Sequence, residues 1–384
     1  MKVLILTDEL FATRERAMIG RVELGLADDG FRVIHAMPAG INLGESGPVV
    51  SRYVPFETSP LAAFRRIMAR RLAMTIADPD AEEDDQPVSV VHVFGGSVWD
   101  IGQEIASELE AELVLELWRP ALIDKALRVA SSMTTGSPPV FTVPDVAAER
   151  HVRERCPRLT VRATPWGVHV EDPAHLVLPQ GRSPAAVMIG SGQDRPACIA
   201  ALTGLAQVIP TRRDLMIFID ARMVRRGDLW PVAKKLGLLP SLSLIQDIEA
   251  RRDLLTQADL LILPEARGEH HSVVLEAMAA PMAVIAADDS IGAIIHERTA
   301  LLVARPDAAT WSDTIRGLLS DPARANALAN SAREYVRQER TVFRHVRGVI
   351  ELYQWMTSPS SIPIRSGHGR AEGPGDDSGA ARAT

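Results

Sequence analysis

The stretch from Ala258 to Asp289, ADLLILPEARGEHHSVVLEAMAAPMAVIAADD, leaves the chain few ways to fold. It reads as a buried strand (Asp259 to Leu263), a polar loop (Pro264 to His270), a short helix (His271 to Ala280) and a second buried strand (Met282 to Ala287). Short strands that are apolar on both faces belong inside a parallel sheet covered by helices. So compact a unit aims the helix N-terminus at the carboxyl edge of the sheet. There, unpaired backbone N–H groups and the helix dipole favour an anion such as a phosphate. Glu276 falls about a turn and a half into that helix, among Val273, Val274, Leu275, Ala277 and Met278. A carboxylate in such surroundings costs stability unless it is paired or used. Accepting hydrogen bonds from ribose hydroxyls is one such use.

The rest of the chain repeats the pattern. Strands are expected at Val3 to Leu6, Val33 to Ala36, Val88 to Phe94, Leu113 to Leu117, Val140 to Val143 and Leu159 to Ala163. The alternation resumes with strands at Ala185 to Ile189, Leu215 to Ile219, Leu242 to Ile245, Leu260 to Leu263, Val284 to Ala287 and Leu301 to Ala304. Helical patterns separate them, which predicts an α/β chain of two Rossmann-like, doubly wound parallel-sheet domains with ligands in the cleft between them. The expected boundaries are 1–169 for the first domain, 170–184 for a linker rich in Pro and Gly, and 185–340 for the second domain. A helix over 341–356 and a disordered tail over 357–384, which lacks an apolar pattern, complete the chain.

A length of 384 residues suffices for two full cores, and 46% apolar with 24% charged residues is the composition of a globular protein. A net charge of −7 without a basic block argues against nucleic acid as a partner. No apolar run is long enough to cross a bilayer, which leaves peripheral membrane contact open. Cys156 and Cys198 lie far apart and show no metal-type spacing, so they read as free thiols in a reducing cytoplasm. Asp78 and Asp80 spell a DxD of the kind that holds a divalent cation elsewhere, but they sit in an acidic loop, ADPDAEEDDQP, and read as solvated charges. Only Lys2, Lys125, Lys234 and Lys235 are lysines, so a phosphate-binding cation is one of these or an arginine.

Leu263-Pro264 followed by Glu276-Ala277-Met278-Ala279 resembles the C-terminal signature of family-4 retaining glycosyltransferases of the GT-B fold. Thr164-Pro165-Trp166-Gly167-Val168-His169 resembles that family's turn before the linker, and Thr299-Ala300-Leu301-Leu302-Val303 a strand near the end of its donor domain. The resemblance implies transfer of a sugar from a nucleotide-diphosphate donor to a small-molecule or glycan acceptor, with retention and with no metal or other cofactor. It implies that Glu276 holds the ribose. Arg195 and Arg267 would face the phosphates, His271 at the helix N-terminus would help neutralise the leaving diphosphate, and Gly190 and Ser272 would complete the donor side. His92, at the end of its strand, would line the acceptor side as a catalytic residue.

The departures cluster where the chemistry belongs. The family's first signature glutamate falls on Gly268, leaving Glu269 or Glu265 to contact the sugar. The loop after the first strand, Thr7 to Thr13, has no glycine, and a sugar-contacting histidine is replaced by Trp118. These substitutions raise a second expectation: a protein of the same fold that binds a nucleotide or a protein partner without transfer. Gly190-Ser191-Gly192-Gln193-Asp194-Arg195 with Asp220 also spells part of a dinucleotide fingerprint, but Arg195 takes the place of its third glycine.

Overall fold

The computed structural model describes residues 1–41, 50–57, 62–77, 86–132, 137–170, 176–246, 253–265, 271–287 and 292–358. The first sheet contains β1 (Lys2–Thr7), β2 (Arg32–Pro38), β3 (Ser51–Phe56), β4 (Val88–Phe94), β5 (Glu112–Glu116), β6 (Val140–Val143) and β7 (Thr160–Ala163). The second contains β8 (Ala185–Met188), β9 (Met216–Asp220), β10 (Leu242–Ile245), β11 (Leu260–Leu263), β12 (Ala283–Ala287) and β13 (Leu301–Val303). Their orders are β3-β2-β1-β4-β5-β6-β7 and β10-β9-β8-β11-β12-β13. Neighbouring strands run parallel, as in Leu4 opposite both Ile34 and Val91, and in Leu261 opposite both Val187 and Val284. Strand order reverses between β1 and β4 and again between β8 and β11, the places where open parallel sheets bind ligands.

In the first half the helices are α1 (Glu9–Arg14), α2 (Arg16–Asp28), α3 (Ala62–Ala77), α4 (Trp99–Glu108), α5 (Ile123–Ser132) and α6 (Val146–Arg155). In the second they are α7 (Arg195–Val208), α8 (Ala221–Arg226), α9 (Trp230–Lys235), α10 (Asp253–Gln257), α11 (His271–Ala279), α12 (Ala308–Ser320), α13 (Pro322–Glu339) and α14 (Val342–Thr357). Local chemistry sets their starts. Asp8, Asp145, Asp194, Asp220, Asp307 and Asp321 each accept a backbone N–H at the head of the helix that follows. Helical spacing sets their buried faces: Met18, Ile19, Val22 and Leu26 on α2, and Cys198, Ala201, Leu202, Leu205 and Val208 on α7. Among the described residues, no helix is long and apolar enough to cross a membrane.

β1, β6, β8, β11 and β12 are buried at every residue, as strands covered on both faces must be. Alternate residues of the second sheet feed two cores. Ala186, Met188, Leu260, Ile262 and Ile285 pack outward with α7 and α12, whereas Val187, Leu261, Leu263 and Val284 join the apolar cluster that continues into the first domain. Three elements lie outside the expected set, the short helix α8 among them. β3 is an edge strand whose sequence, SRYVPF, carries Pro55, a residue without an N–H that only an edge tolerates. α3 is arginine-rich and buries only a narrow stripe, Ala69, Leu72, Ala73 and Ile76, so its periodicity is weak.

The chain passes between the domains at two points that touch. Val168 N–H donates to Arg340 O at 2.8 Å, and Val342 N–H donates to Val168 O at 3.3 Å. Gly167 allows this approach, since a Cβ there would lie 2.1 Å from Thr341 O. α14 then lies along α2, with Val346 filling the space above Gly25 and Tyr353 fully buried beside Phe31.

His345 on α14 is 2% exposed, and burial first, then the charges of Arg21 and Arg340, hold its imidazole down at about 3. The unfolded chain therefore takes up a proton near the ordinary value of 6.5 that the folded chain refuses, so stability falls as pH drops through that value. Between there and the folded value, His345 alone costs about 1.4 kcal/mol per pH unit. The urea midpoint should fall between pH 7.5 and 5, with a shallower fall in His345→Gln; equal slopes in the two proteins would refute the assignment.

Candidate functional site

The carboxyl ends of β8 and β11 meet where the second sheet reverses. After β8 the chain turns through Gly190, Ser191, Gly192 and Gln193 to Asp194, which caps α7 through Ala197 N–H at 3.2 Å. Gly190 is required for space, because a Cβ would lie 2.4 Å from Glu265 Oε2 and 2.6 Å from the Met223 sulfur. Three donors of this turn converge on the Glu265 carboxylate: Ser191 Oγ at 2.9 Å, Gly192 N–H at 2.9 Å and Asp194 N–H at 2.7 Å. Loop N–H groups gathered at the start of a helix form an anion cradle. Here the chain's own carboxylate fills it. Glu265, expected as a stand-in for the sugar-contacting acid, is thus engaged with the loop in this structure.

The first sheet repeats the arrangement with Asp8. Its carboxylate accepts Phe11 N–H at 3.1 Å and Ser97 Oγ–H at 2.9 Å, and burial pushes its pKa up against the opposing pull of these bonds. Gly95, at φ +102°, leaves the room, since a Cβ would lie 2.0 Å from the Asp8 Cγ. The loop without glycine is therefore closed by a side chain, and Phe11 seals it against Phe94, Trp118 and Trp166. Beside it, a pocket of about 250 Å³ opens at the carboxyl ends of β5 and β6 between Trp118, Arg119, Pro144, Asp145, Ala148 and His151.

Glu276 on α11 is half-buried and paired: Arg21 Nη1 of α2 lies 2.7 Å from its Oε1. A second pair, Arg14 Nη1 to Asp220 Oδ2 at 2.5 Å, joins α1 to the end of β9 and is almost wholly buried. Asp220 also caps α8 through Arg222 N–H at 2.8 Å. In both pairs the arginine comes from the first domain and the acid from the second. No local signal in the sequence marks Arg14 or Arg21, whose partners lie 206 and 255 positions away.

Ser272, the second residue of α11, is fully buried, and its hydroxyl has no hydrogen-bond partner among the described residues. His271 opens the helix, but its side chain, like Arg267 and Glu269 as a whole, lies outside the described residues, as do Gly268, His270, Asp78 and Asp80. Arg195 is exposed at the first position of α7 and donates from Nε to Gly227 O at 2.9 Å. His92 is corrected by the structure: expected to line the cleft, it is 0% exposed. Its Nδ1 lies 2.7 Å from Tyr353 Oη, and its Nε2 lies 3.6 Å from Glu116 Oε2 and 3.4 Å from Thr142 Oγ1. Burial lowers its pKa, opposed by Glu116. A strand covered on both faces buries even its last polar side chain, and this one ties β4 to α14.

Removing the carboxylate that fills the cradle should cost stability. Glu265→Ala leaves three donors without their acceptor, about 1–3 kcal/mol for groups kept from water. That should appear as a lower urea midpoint at unchanged slope. An unchanged midpoint would show that other contacts hold the turn.

Residues 231–335, which span α9 to α13, match the family described as "Glycosyl transferases group 1". No curated protein matches the chain in sequence. Solved structures match it in fold across nearly its whole length. A glycosyltransferase from Rickettsia africae has a TM-score of 0.70 at 16% identity, covering 93% of this chain and 99% of its own. A sucrose-phosphate synthase from Thermosynechococcus elongatus has a TM-score of 0.72 at 14% identity, with the same coverage. Anabaena HepE in complex with UDP and glucose has a TM-score of 0.70 at 14% identity, covering 92% of this chain and 99% of its own. The architecture is that of the GT-B fold: two parallel-sheet α/β domains of seven and six strands.

Proposed function

We propose that this chain transfers a sugar, with retention, from a nucleotide-diphosphate donor to a small-molecule or glycan acceptor, and that it needs no metal. The observation that carries this reading is α11. A nine-residue helix rises from the carboxyl edge of the second sheet, with a buried hydroxyl at Ser272 that has no partner among the described residues and a carboxylate, Glu276, on its half-buried face. It lies within the segment that matches glycosyl transferases group 1. Among its structural neighbours, HepE is seen with UDP and glucose and with UDP-glucose.

On this reading Glu276 accepts the ribose hydroxyls while Arg21 keeps it oriented. The departing diphosphate lies against the α11 N-terminus, where backbone N–H groups, Ser272 and His271 offset the charge that grows as the sugar leaves. Donors fixed in place before charge develops are the largest single source of rate enhancement in many enzymes. Glu269 contacts the sugar, and Arg267 and Arg195 face the phosphates. His92 acts at a distance, holding α14 against β4 under the acceptor side.

A second reading, binding without transfer, is favoured by Glu265, because a cradle already filled by a carboxylate is closed to the donor's phosphates. Thermal melts with UDP, GDP and ADP, followed by assays of nucleoside-diphosphate release from the corresponding sugar donors, separate the two. A ligand that binds only the folded state raises the melting temperature, by about 2.7 kcal/mol of added stability at a hundred times its dissociation constant. The transfer reading expects a shift with one nucleotide, loss of that shift in Glu276→Ala, and turnover. A shift without turnover on any donor supports the binding protein. No shift with any nucleotide rejects transfer and nucleotide binding alike and leaves a protein partner as the ligand of the second reading.

A further inference from the structure

A second cavity, of about 470 Å³, opens between α1 of the first domain and α8 of the second, away from the α11 helix. Arg14, Arg16, Arg222 and Arg225 line it, with Gln246 at the end of β10 and Glu9 as the acidic group on the wall among the described residues. Arg14 is neutralised by Asp220 behind it. Among the described residues, four guanidiniums thus gather around one hollow of a chain whose net charge is −7. Arg225 makes only a long contact, 3.4 Å from Nη1 to Gln246 Oε1, and the half-buried Arg222 guanidinium has no partner among the described residues.

Guanidiniums crowded together repel one another, a cost that an anion removes. The planar fork of arginine matches phosphate oxygens in paired hydrogen bonds. The cavity falls in the size range of small-molecule sites and far exceeds a lone phosphate. The turn after β8, where a Rossmann-like domain would ordinarily receive a phosphate, is filled by Glu265. A phosphate entering the cleft therefore meets its free positive charge at α8.

We propose that the hollow between α1 and α8 is a binding site for a phosphorylated small molecule, with Arg222 and Arg225 holding the phosphate and Arg14 and Arg16 closing over it from the other domain. The phosphate belongs either to a phosphorylated acceptor or, in place of the α11 contact proposed above, to the diphosphate of the donor. Only that assignment to a substrate rests on the glycosyl-transfer reading; the affinity of the hollow for phosphate does not.

The test is calorimetric titration of inorganic pyrophosphate, and separately of UDP, GDP and ADP, at low ionic strength. The proteins are the wild type, Arg222→Ala/Arg225→Ala, and Arg213→Ala as a control for net charge on an exposed arginine elsewhere. Charge-assisted hydrogen bonds of this kind predict at least about a tenfold weaker pyrophosphate affinity in the double variant. The control should bind as the wild type does, and added salt should weaken binding in both. Equal urea midpoints exclude misfolding, since Arg225 is exposed and the half-buried Arg222 belongs to no apolar core. Parallel loss of nucleotide binding supports the site and identifies the donor's diphosphate as its ligand. Retained nucleotide binding with lost pyrophosphate binding supports it and points to a phosphorylated acceptor. Pyrophosphate that binds the double variant as tightly as the wild type, or does not bind the wild type at all, overturns it. Wild-type binding of pyrophosphate but of no nucleotide leaves the site standing while the glycosyl-transfer reading fails.

Discussion

Everything proposed for the cleft depends on two ion pairs that cross it. Arg14 to Asp220 and Arg21 to Glu276 join helices of the first domain to acids at the carboxyl edge of the second. Buried pairs contribute little net stability, because desolvation offsets most of the attraction, but removing one partner strands a charge and is expensive. Their value here is geometric. They set which carboxyl ends face each other, hold Glu276 in place, and leave Arg222 and Arg225 as the guanidiniums of α8 that line the cleft with no carboxylate partner among the described residues.

A second theme is carboxylates acting as internal anions. Asp8 and Glu265 occupy corresponding turns at the switch points of the two sheets, and each faces a glycine, Gly95 or Gly190, that makes room for it. The two turns differ in detail. Asp8 caps its own helix and is pushed toward the neutral form by burial, whereas Glu265 reaches across from the neighbouring strand to organise a loop 71 to 74 residues away. In both cases a backbone arrangement suited to phosphate is held in shape by part of the chain itself.

The fold was legible because burial on both faces leaves an unmistakable trace. VLIL, VVHVF and LLIL have almost nothing polar to place on a solvent side. β3 escaped because an edge strand needs no such purity, and α3 because arginines that lie against the acidic side chains of α4 break up its apolar period. At the site, Glu276 stood out as a carboxylate among apolar neighbours, and it does have a partner. That partner, Arg21, is 255 residues away, and nothing local in the sequence specifies so distant a contact. His92 shows the opposite failure: a histidine at a strand end suggests an edge open to solvent, but the return of α14 covers that edge with Tyr353.

That return has a consequence for the order in which the protein can become itself. Tyr353 closes over His92 and Phe31, and Val346 fills the gap above Gly25, so part of the first domain's interior is supplied by the last stretch of α14. Chains emerge from the ribosome N-terminus first, and domains usually fold in that order. Here the earliest domain waits with an apolar groove along α2 until the whole second domain has been made. Its completion signals that synthesis has passed residue 350, and a truncated chain carries that groove uncovered.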